Sequence, residues 1–166
     1  MVSREPQVVD EALNEALEVL EGGAVYKLAE LPNNPEPPVG PPGVYTLWDG
    51  DDFLYCGMVY MDATHTTNPQ AKGVWGRLDT HRRFERTSHL GVQLMDRVII
   101  PDLTTNDLQA LRAGSLDLQR RLREWGTERV SYRAWVSPDG ATARRVEAAI
   151  RREGLPRFGR PQLNPA

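Results

Sequence analysis

The chain has 166 residues, of which 40% are hydrophobic and 26% charged, a composition that fits one globular domain and excludes a disordered or membrane-embedded chain. The single cysteine, Cys56, excludes an internal disulfide and a cysteine-rich zinc site. No stretch of about 18 apolar residues could span a bilayer, and the acidic N-terminus lacks the pattern of a secretion signal. We therefore expect a cytoplasmic protein without a membrane partner.

The net charge of −3 argues against a nucleic-acid partner when taken alone, but the charge is unevenly distributed. Residues 1–60 contain two basic and eleven acidic residues, whereas residues 61–166 contain 18 basic and 12 acidic ones. Seventeen of those 18 basic residues are arginines, whose planar guanidinium groups suit phosphate oxygens. Codon usage in a GC-rich genome would also enrich arginine, so the asymmetry permits a phosphate-backbone partner without requiring one.

The first predicted elements are an amphipathic helix and a stiff connector. Apolar residues recur at helical spacing from Val9 to Leu20, and Gly22 and Gly23 follow as a stop signal. The next stretch, Leu31 to Gly43, is so rich in proline and glycine that it predicts irregular backbone. We therefore divide the chain into an acidic helix with its connector, residues 1–40, and a main domain, residues 41–166.

A hairpin opens the main domain. Apolar runs from Val44 to Leu47 and from Phe53 to Met58 predict two strands, joined by the Asp-Gly turn at Asp49 to Asp52. A helix is predicted from Gly73 to Arg86, and the aliphatic stretch from Val92 to Ile100 predicts a further strand.

The C-terminal part is predicted to be mainly helical. One long or two short helices are expected from Thr104 to Trp125, with a break at Gly114. A strand from Arg129 to Val136 and a helix from Thr142 to Arg152 follow. We expect the leucines of the first helical stretch to be buried, namely Leu108, Leu111, Leu116, Leu118 and Leu122. Because the helices are segregated from the strands, the order predicts an α+β fold with a small central antiparallel sheet flanked by helices.

The candidates for chemistry are isolated polar residues, since no P-loop, dinucleotide-binding glycine motif, zinc-protease motif or serine-hydrolase motif occurs. They are Tyr45, Tyr55, Arg77, His81, Glu147 and Asn164. Arg77 and His81 are four residues apart, so they share one face of a helix. Each residue also has an ordinary structural explanation, such as a packed tyrosine, a solvated helix face or an ion pair of Glu147 with Arg144 or Arg151.

Taken as an ordered set, these residues resemble the GIY-YIG nuclease superfamily. That family has Gly-Ile-Tyr, then Tyr-Ile-Gly, an arginine in the next helix, a later helical glutamate and a C-terminal asparagine. Here the positions read Gly43-Val44-Tyr45, Tyr55-Cys56-Gly57, Arg77, Glu147 and Asn164. Valine and cysteine replace the two isoleucines, which keeps the apolar packing. The resemblance spans Gly43 to Asn164 and implies the family's fold.

The resemblance implies hydrolysis of a phosphodiester bond. Glu147 would hold a divalent cation, Mg²⁺ or alternatively Mn²⁺, because a hard cation that keeps most of its waters needs few protein oxygens. Arg77 would neutralise the charge that develops on the phosphate. Tyr45 would bind or deprotonate the attacking water with His81 or Tyr55 assisting, and the identity of the general base stays open.

The resemblance also implies supporting roles. Asn164 would orient the site through hydrogen bonds, while Gly43 and Gly57 would allow backbone or substrate to approach closely. The basic residues Lys72, Arg82 and Arg83 would bind the substrate. Twenty residues separate Gly57 from Arg77, a long loop that resembles the restriction-enzyme branch of the family.

The expected function is therefore a metal-dependent endonuclease that acts on DNA, with RNA not excluded. One alternative is a nuclease fold that binds nucleic acid or protein without cutting. Another is a toxin-like nuclease in which the acidic N-terminal segment shields the site, binds a regulatory partner or forms a homodimer. A third is an α+β domain without an assignable activity.

Overall fold

A computed structural model describes the backbone of residues 5–33, 41–60 and 73–164. One antiparallel sheet has the strand order β1-β4-β2-β3, with β1 at Tyr26–Lys27, β2 at Gly43–Asp49, β3 at Asp52–Val59 and β4 at Val130–Val136. The α-helices of the described residues are α1 (Glu5–Gly22), α2 (Gly73–His81), α3 (His89–Leu94), α4 (Thr105–Arg112), α5 (Leu118–Arg129) and α6 (Gly140–Glu153). The predicted α+β class, with helices flanking a small antiparallel sheet, is confirmed.

The sheet is covered on both faces, because side chains alternate along each strand. On the back face, Val44 and Trp48 of β2 pack with Leu20 of α1 and with Val146 and Ile150 of α6. The front face carries Tyr45 and Leu47 of β2, and its apolar cluster includes residues of α2, α3 and α5, among them Leu78, Leu94 and Leu122. Both apolar clusters include residues of β2, so the two layers of helices pack on opposite faces of one sheet.

A β-bulge at Leu54 interrupts the alternation in β3. Trp48 pairs with Phe53 and Leu47 pairs with Tyr55, so Leu54 is an extra residue on the β3 side. Phe53 therefore packs on the back face, whereas Tyr55 packs in the front cluster with Tyr45. Without the bulge, the period of two would place Tyr55 on the same face as Phe53.

The prediction of a strand from Val92 to Ile100 is wrong. This segment is helical: Ser88 caps the start of α3, and the helix passes into a π-helical turn at Met95–Ile99. Leu90 and Leu94 are buried four residues apart, which is the spacing of one helical face. The β-branched residues misled the prediction, since strand propensity depends on a neighbouring strand that this segment lacks.

The boundaries of the other elements mostly agree with the predictions. The predicted helix at Gly73 ends at His81 instead of Arg86, and Phe84 in the following turn has a φ of 48°. The stretch from 104 to 125 forms two helices, α4 and α5, with Gly114 between them at a φ of 70°. A 3-10 helix at Leu28–Asn33 includes the first residues of the predicted proline-rich connector. Residues 34–40 lie outside the described residues.

The predicted burial of the leucines holds only in part. Leu122 of α5 is fully buried, but Leu108 and Leu111 of α4 are 43% and 36% exposed. Leu116 and Leu118 are partly buried. No residue of α4 is buried, so this helix lies on the surface and its leucines do not belong to the core.

Helix α1 contributes to the core of the sheet. Ala16 and Leu20 are completely buried in the back-face cluster, and α1 packs against both β4 and α6. The division of the chain at residue 40 stays a prediction. Within the described residues, none of the helices combines the length and apolar character needed to cross a bilayer.

Candidate active site

The hairpin of β2 and β3 places the Gly-x-Tyr and Tyr-x-Gly motifs directly opposite each other. Tyr45 pairs with Gly57 across the two strands, on the front face of the sheet. A Cβ atom added to Gly57 would collide with the hydroxyl and ring of Tyr45 and would lie 2.9 Å from Cε1 of Tyr55. Gly57 is therefore needed because the phenol ring of Tyr45 occupies the space that a side chain would take.

Gly43 has a separate packing role. A Cβ atom added there would collide with the carbonyl oxygen of Trp135 on β4 and lie 2.7 Å from a methyl group of Val74 on α2. The glycine thus lets α2 pack closely on the start of β2. This contact fixes the helix that carries Arg77 and His81 against the strand that carries Tyr45.

Tyr45, Tyr55 and His81 form a compact group. The hydroxyl of Tyr45 lies 2.7 Å from Nε2 of His81, a buried hydrogen bond between β2 and α2. The ring centroids of Tyr45 and Tyr55 are 6.3 Å apart. The ring centroids of Tyr55 and His81 are 5.9 Å apart, in an edge-to-face arrangement. These contacts bring together three residues that lie far apart in the chain.

Burial and Arg77 control the protonation of this group. Burial raises the pKa of Tyr45 far above its ordinary value and Tyr55 raises it further, whereas Arg77 lowers it through its charge and a hydrogen bond. Burial also lowers the pKa of His81 to about 3, and the positive charges of Arg77 and His89 act in the same direction. At neutral pH the group therefore contains a neutral histidine and a protonated tyrosine.

The hydrogen bonds provide a path along which a proton can move. Arg77 has only donors, so the oxygen of Tyr45 accepts its hydrogen bond. In the tautomer of neutral His81 whose proton lies on Nδ1, Nε2 accepts the O–H of Tyr45, whereas in the other tautomer the Nε2–H is donated to the phenol oxygen. Among the described residues, Nδ1 has no hydrogen-bond partner although it is buried. In the first tautomer, Tyr45 can thus pass its proton to His81.

Tyr55 lies between charges of opposite sign. Burial raises the pKa of Tyr55, the positive charge of Arg77 lowers it, and the negative charge of Glu147 raises it again. Glu147 projects from α6, which packs against the edge strand β3. Its carboxylate forms an ion pair with Arg151 at 3.2 Å. Sequence reasoning gave Arg151 only as a structural partner, yet its charge also acts on Tyr55.

Glu147 is the carboxylate that could hold a metal ion among the described residues of the site. Within the described residues, no group of three or more histidine, cysteine or acidic side chains is suitable for a metal. The side chain of Glu147 is 13% exposed and lies close enough to Cys56 and Tyr55 to raise both pKa values. One carboxylate fits Mg²⁺, which usually keeps several of its waters, and does not fit a structural zinc ion.

Asn164 fastens the C-terminal tail to the outer edge of β3. Its Oδ1 accepts a hydrogen bond from the N–H of Cys56 at 2.7 Å, and its Nδ2 donates one to the Cys56 carbonyl at 2.8 Å. The backbone N–H groups of Gln162 and Leu163 also bond to carbonyls of β3. The asparagine therefore completes the edge of the sheet at the residue between Tyr55 and Gly57.

The remaining site predictions have different outcomes. Arg82 and Arg83 lie in the turn after α2, where both form ion pairs with Asp79, and no described contact joins them to the two tyrosines. Lys72 lies outside the described residues. Burial raises the pKa of the Cys56 thiol well above its ordinary value, so this residue is a packing group rather than a nucleophile. The chain matches no protein-family model, no curated protein and no solved structure.

Proposed function

We propose that the chain is a metal-dependent endonuclease that hydrolyses phosphodiester bonds in DNA in the cytoplasm. The resemblance of its ordered motifs to GIY-YIG nucleases supports this proposal. The observation that carries it is the buried hydrogen bond between Tyr45 and His81 beside Arg77. A tyrosine that only fills space in the core requires neither a neutral histidine 2.7 Å away nor a neighbouring guanidinium. Activation of a water beside a phosphate requires both a proton acceptor and a positive charge.

In this proposal, His81 is the final proton acceptor. Phenol is a poor base at neutral pH, and burial makes the phenolate of Tyr45 still less stable. Tyr45 needs no free phenolate when it gives its proton to Nε2 of His81 as it takes one from the attacking water. The depressed pKa of His81 keeps Nε2 unprotonated at neutral pH, but it also disfavours the imidazolium that this transfer forms. The negative charge of a bound phosphate would raise this pKa, so we expect the transfer to require the bound substrate.

Arg77 and Glu147, whose charges both act on Tyr55, contact the substrate in this proposal. Arg77 offers a positive charge to the developing phosphorane-like oxygens. Glu147 is the residue that would hold Mg²⁺ or Mn²⁺. When bound, such an ion would polarise the phosphoryl oxygen and stabilise the leaving oxygen. Asn164 keeps the Tyr55 segment of β3 in place through the two Cys56 hydrogen bonds.

Plasmid cleavage by the purified protein tests the proposal. Supercoiled DNA and a structured RNA are incubated with Mg²⁺, Mn²⁺ or EDTA, beside the variants Arg77→Ala and Glu147→Gln. We expect metal-dependent nicking or linearisation, and a loss of about a hundredfold or more in each variant. The matched control is Arg145→Gln, an exposed charge removed from the same helix as Glu147.

The alternative functions predict different results. A binding module would retain nucleic acid but leave DNA and RNA intact with every metal ion, and such a result would overturn the proposal. Cleavage that Arg77→Ala and Glu147→Gln do not affect would overturn the assignment of the site.

A further inference from the structure

A cleft of about 390 Å³ lies between the turn after α2 and the outer face of α5. Its lining residues are Ala29, Arg82, Arg83, Glu85, Arg123 and Thr127. The arginines come from two separate elements, since Arg82 and Arg83 follow α2 and Arg123 lies on α5. We call this surface the arginine cleft.

The arginine cleft carries an excess of positive charge. Asp79 pairs with Arg82 and Arg83, and Glu85 pairs with Arg123 at 3.6 Å, so two carboxylates face three guanidinium groups. The side chains of Arg83 and Arg123 are 62% and 54% exposed. Exposed ion pairs contribute little stability, and each guanidinium has five donors, so both arginines can bind an incoming anion.

The wall of the cleft is held rigidly. Phe84, between Arg83 and Glu85, is buried at a left-handed φ of 48°. Its ring packs against Gly126 of α5 so closely that any Cβ atom there would collide with it. A backbone held in this conformation is strained and persists only where the surroundings enforce it. The strained residue therefore fixes Arg83 against α5.

The side chain of Gln119 also holds the turn around Phe84 in place. The Nε2 of Gln119 donates a hydrogen bond to the Phe84 carbonyl at 2.8 Å, while its Oε1 accepts one from the N–H of Arg86 at 2.9 Å. In addition, the Nε of Arg123 lies 3.5 Å from the carbonyl oxygen of Arg83. The arginines thus extend from a pre-organised backbone, which reduces the entropy lost when they bind a ligand.

The arginine cleft begins at the end of the helix that carries Arg77. Arg82 directly follows His81, the last residue of α2, and Arg77 lies one turn earlier in the same helix. A helix rises about 1.5 Å per residue, so the end of α2 is about 6 Å from Arg77 along the helix axis. Along one DNA strand this length corresponds to about two nucleotides, at 3.4 Å per step.

We propose that the arginine cleft binds the sugar–phosphate backbone of the nucleic acid, one to a few nucleotides away from the phosphate that is cut. This inference rests on the proposed nuclease function and assigns Arg123 of α5, together with Arg82 and Arg83, to substrate binding. Contacts of this kind position a substrate without reading its sequence. The cleft therefore contributes to affinity and to the position of the cut, and not to recognition of bases.

The salt dependence of DNA binding tests this inference without requiring cleavage. The variant Arg83→Gln/Arg123→Gln keeps most of each side-chain stem and removes two charges from the cleft. The matched control is Arg145→Gln/Arg152→Gln, which removes two exposed charges from a groove between α1 and α6. Affinity for a short fluorescent duplex is measured in EDTA from 50 to 300 mM salt, beside thermal denaturation of each variant.

We expect the cleft variant to lower the slope of log affinity against log salt by about two, because each lost phosphate contact removes about one released counterion. The control variant should keep the wild-type slope. Equal slopes in all three proteins, with wild-type cleavage intact, would overturn the cleft assignment and leave the nuclease proposal standing. Absence of wild-type binding and cleavage would overturn both.

Discussion

At the scale of single residues, the candidate site depends on keeping two ionisable groups uncharged. Tyr45 and His81 are 1% and 4% exposed, and each shifts its pKa toward the neutral form. The charge of Arg77 favours the phenolate but disfavours the imidazolium. Arg77 therefore favours the loss of the Tyr45 proton but opposes its uptake by His81.

The stability of the protein should reflect the neutral His81. Its folded pKa of about 3 lies below the ordinary value of 6.5, so between these values the unfolded chain binds a proton that the folded chain does not. The free energy of unfolding should fall as the pH falls through this window. From pH 7 to pH 5 the wild type should lose about 2 kcal/mol more than His81→Gln. Urea denaturation at each pH measures this difference.

Two further comparisons sharpen this measurement. The exposed Gln162 supplies the control, since Gln162→Ala removes no ionisable group and should keep the wild-type dependence on pH. The cleavage rate of the wild type should also lack an inflection near pH 6.5. A rate that falls with an apparent pKa near 6.5, and loses this inflection in His81→Gln, would show that His81 becomes protonated in the folded enzyme.

A methyl group at Gly57 should damage the site. Gly57→Ala forces the added Cβ against the Tyr45 hydroxyl and the Tyr55 ring, and overpacking of this kind costs about 2 kcal/mol. Gly22→Ala is the control, because an added Cβ there has no heavy atom within 4 Å. Denaturation midpoints and plasmid cleavage should both fall for Gly57→Ala alone. If both variants behave alike, the close approach of Tyr45 does not constrain Gly57.

At the scale of elements, the C-terminal tail and the π-helical turn support β3. Arg97 of the π-helical turn donates a hydrogen bond to the Gln162 carbonyl at 2.9 Å, two residues before Asn164. The tail then pairs with the edge of β3. A segment predicted as a strand thus contributes to the site as a helix, by holding the tail beside Cys56.

Removing the Asn164 side chain should release this edge. Asn164→Ala leaves the N–H and carbonyl of Cys56 without their partners, which should cost about 2 kcal/mol and reduce cleavage. Gln162→Ala is the control, because Gln162 pairs through its backbone N–H and its side chain is exposed. Denaturation curves of the two variants should separate clearly. Equal midpoints would mean that the backbone hydrogen bonds of Gln162 and Leu163 hold the tail without Asn164.

The sequence predicted elements well where a local signal was strong. The hairpin, α6 and the break at Gly114 carry turn or capping residues, and all three are confirmed. The two-residue strand β1 could not be predicted, since it exists only through its pairing with β4. The six site residues were chosen from their order in the chain, but the bulge at Leu54 that turns Tyr55 toward Tyr45 has no local signal.

At the scale of the whole molecule, the acidic helix α1 forms part of the core and not an added arm. It covers the back face with Ala16 and Leu20, directly behind the strand that bears Tyr45 on its front. The acidic charge suggested a segment that shields the site or binds a partner, because net charge reports on solvent-facing residues and not on the buried side of a helix. The packing of α1 indicates that the main sheet requires it.

Weakening α1 should therefore unfold the protein and not activate it. Leu20→Ala should lower the free energy of unfolding by about 3 kcal/mol, because the side chain is fully buried. Leu17→Ala, one turn earlier, should lower the free energy of unfolding by less, because Leu17 is only partly buried. Tryptophan fluorescence follows the exposure of Trp48 and Trp135 on the back face. A gain in cleavage with unchanged stability would instead identify α1 as an inhibitory segment.

The bulge at Leu54 separates the turn of the hairpin from the part of β3 that carries the Tyr-x-Gly motif. Removing Leu54 would restore regular alternation, so Tyr55 would stay opposite Leu47 on the front face and Phe53 would stay on the back face. Changes of length in the turn at Gly50 and Asp51 would leave both tyrosines where they are. During evolution, the turn of this hairpin is free to grow and the bulge is free to be lost, whereas deletion of Cys56 would place Tyr55 and Gly57 on opposite faces of the strand.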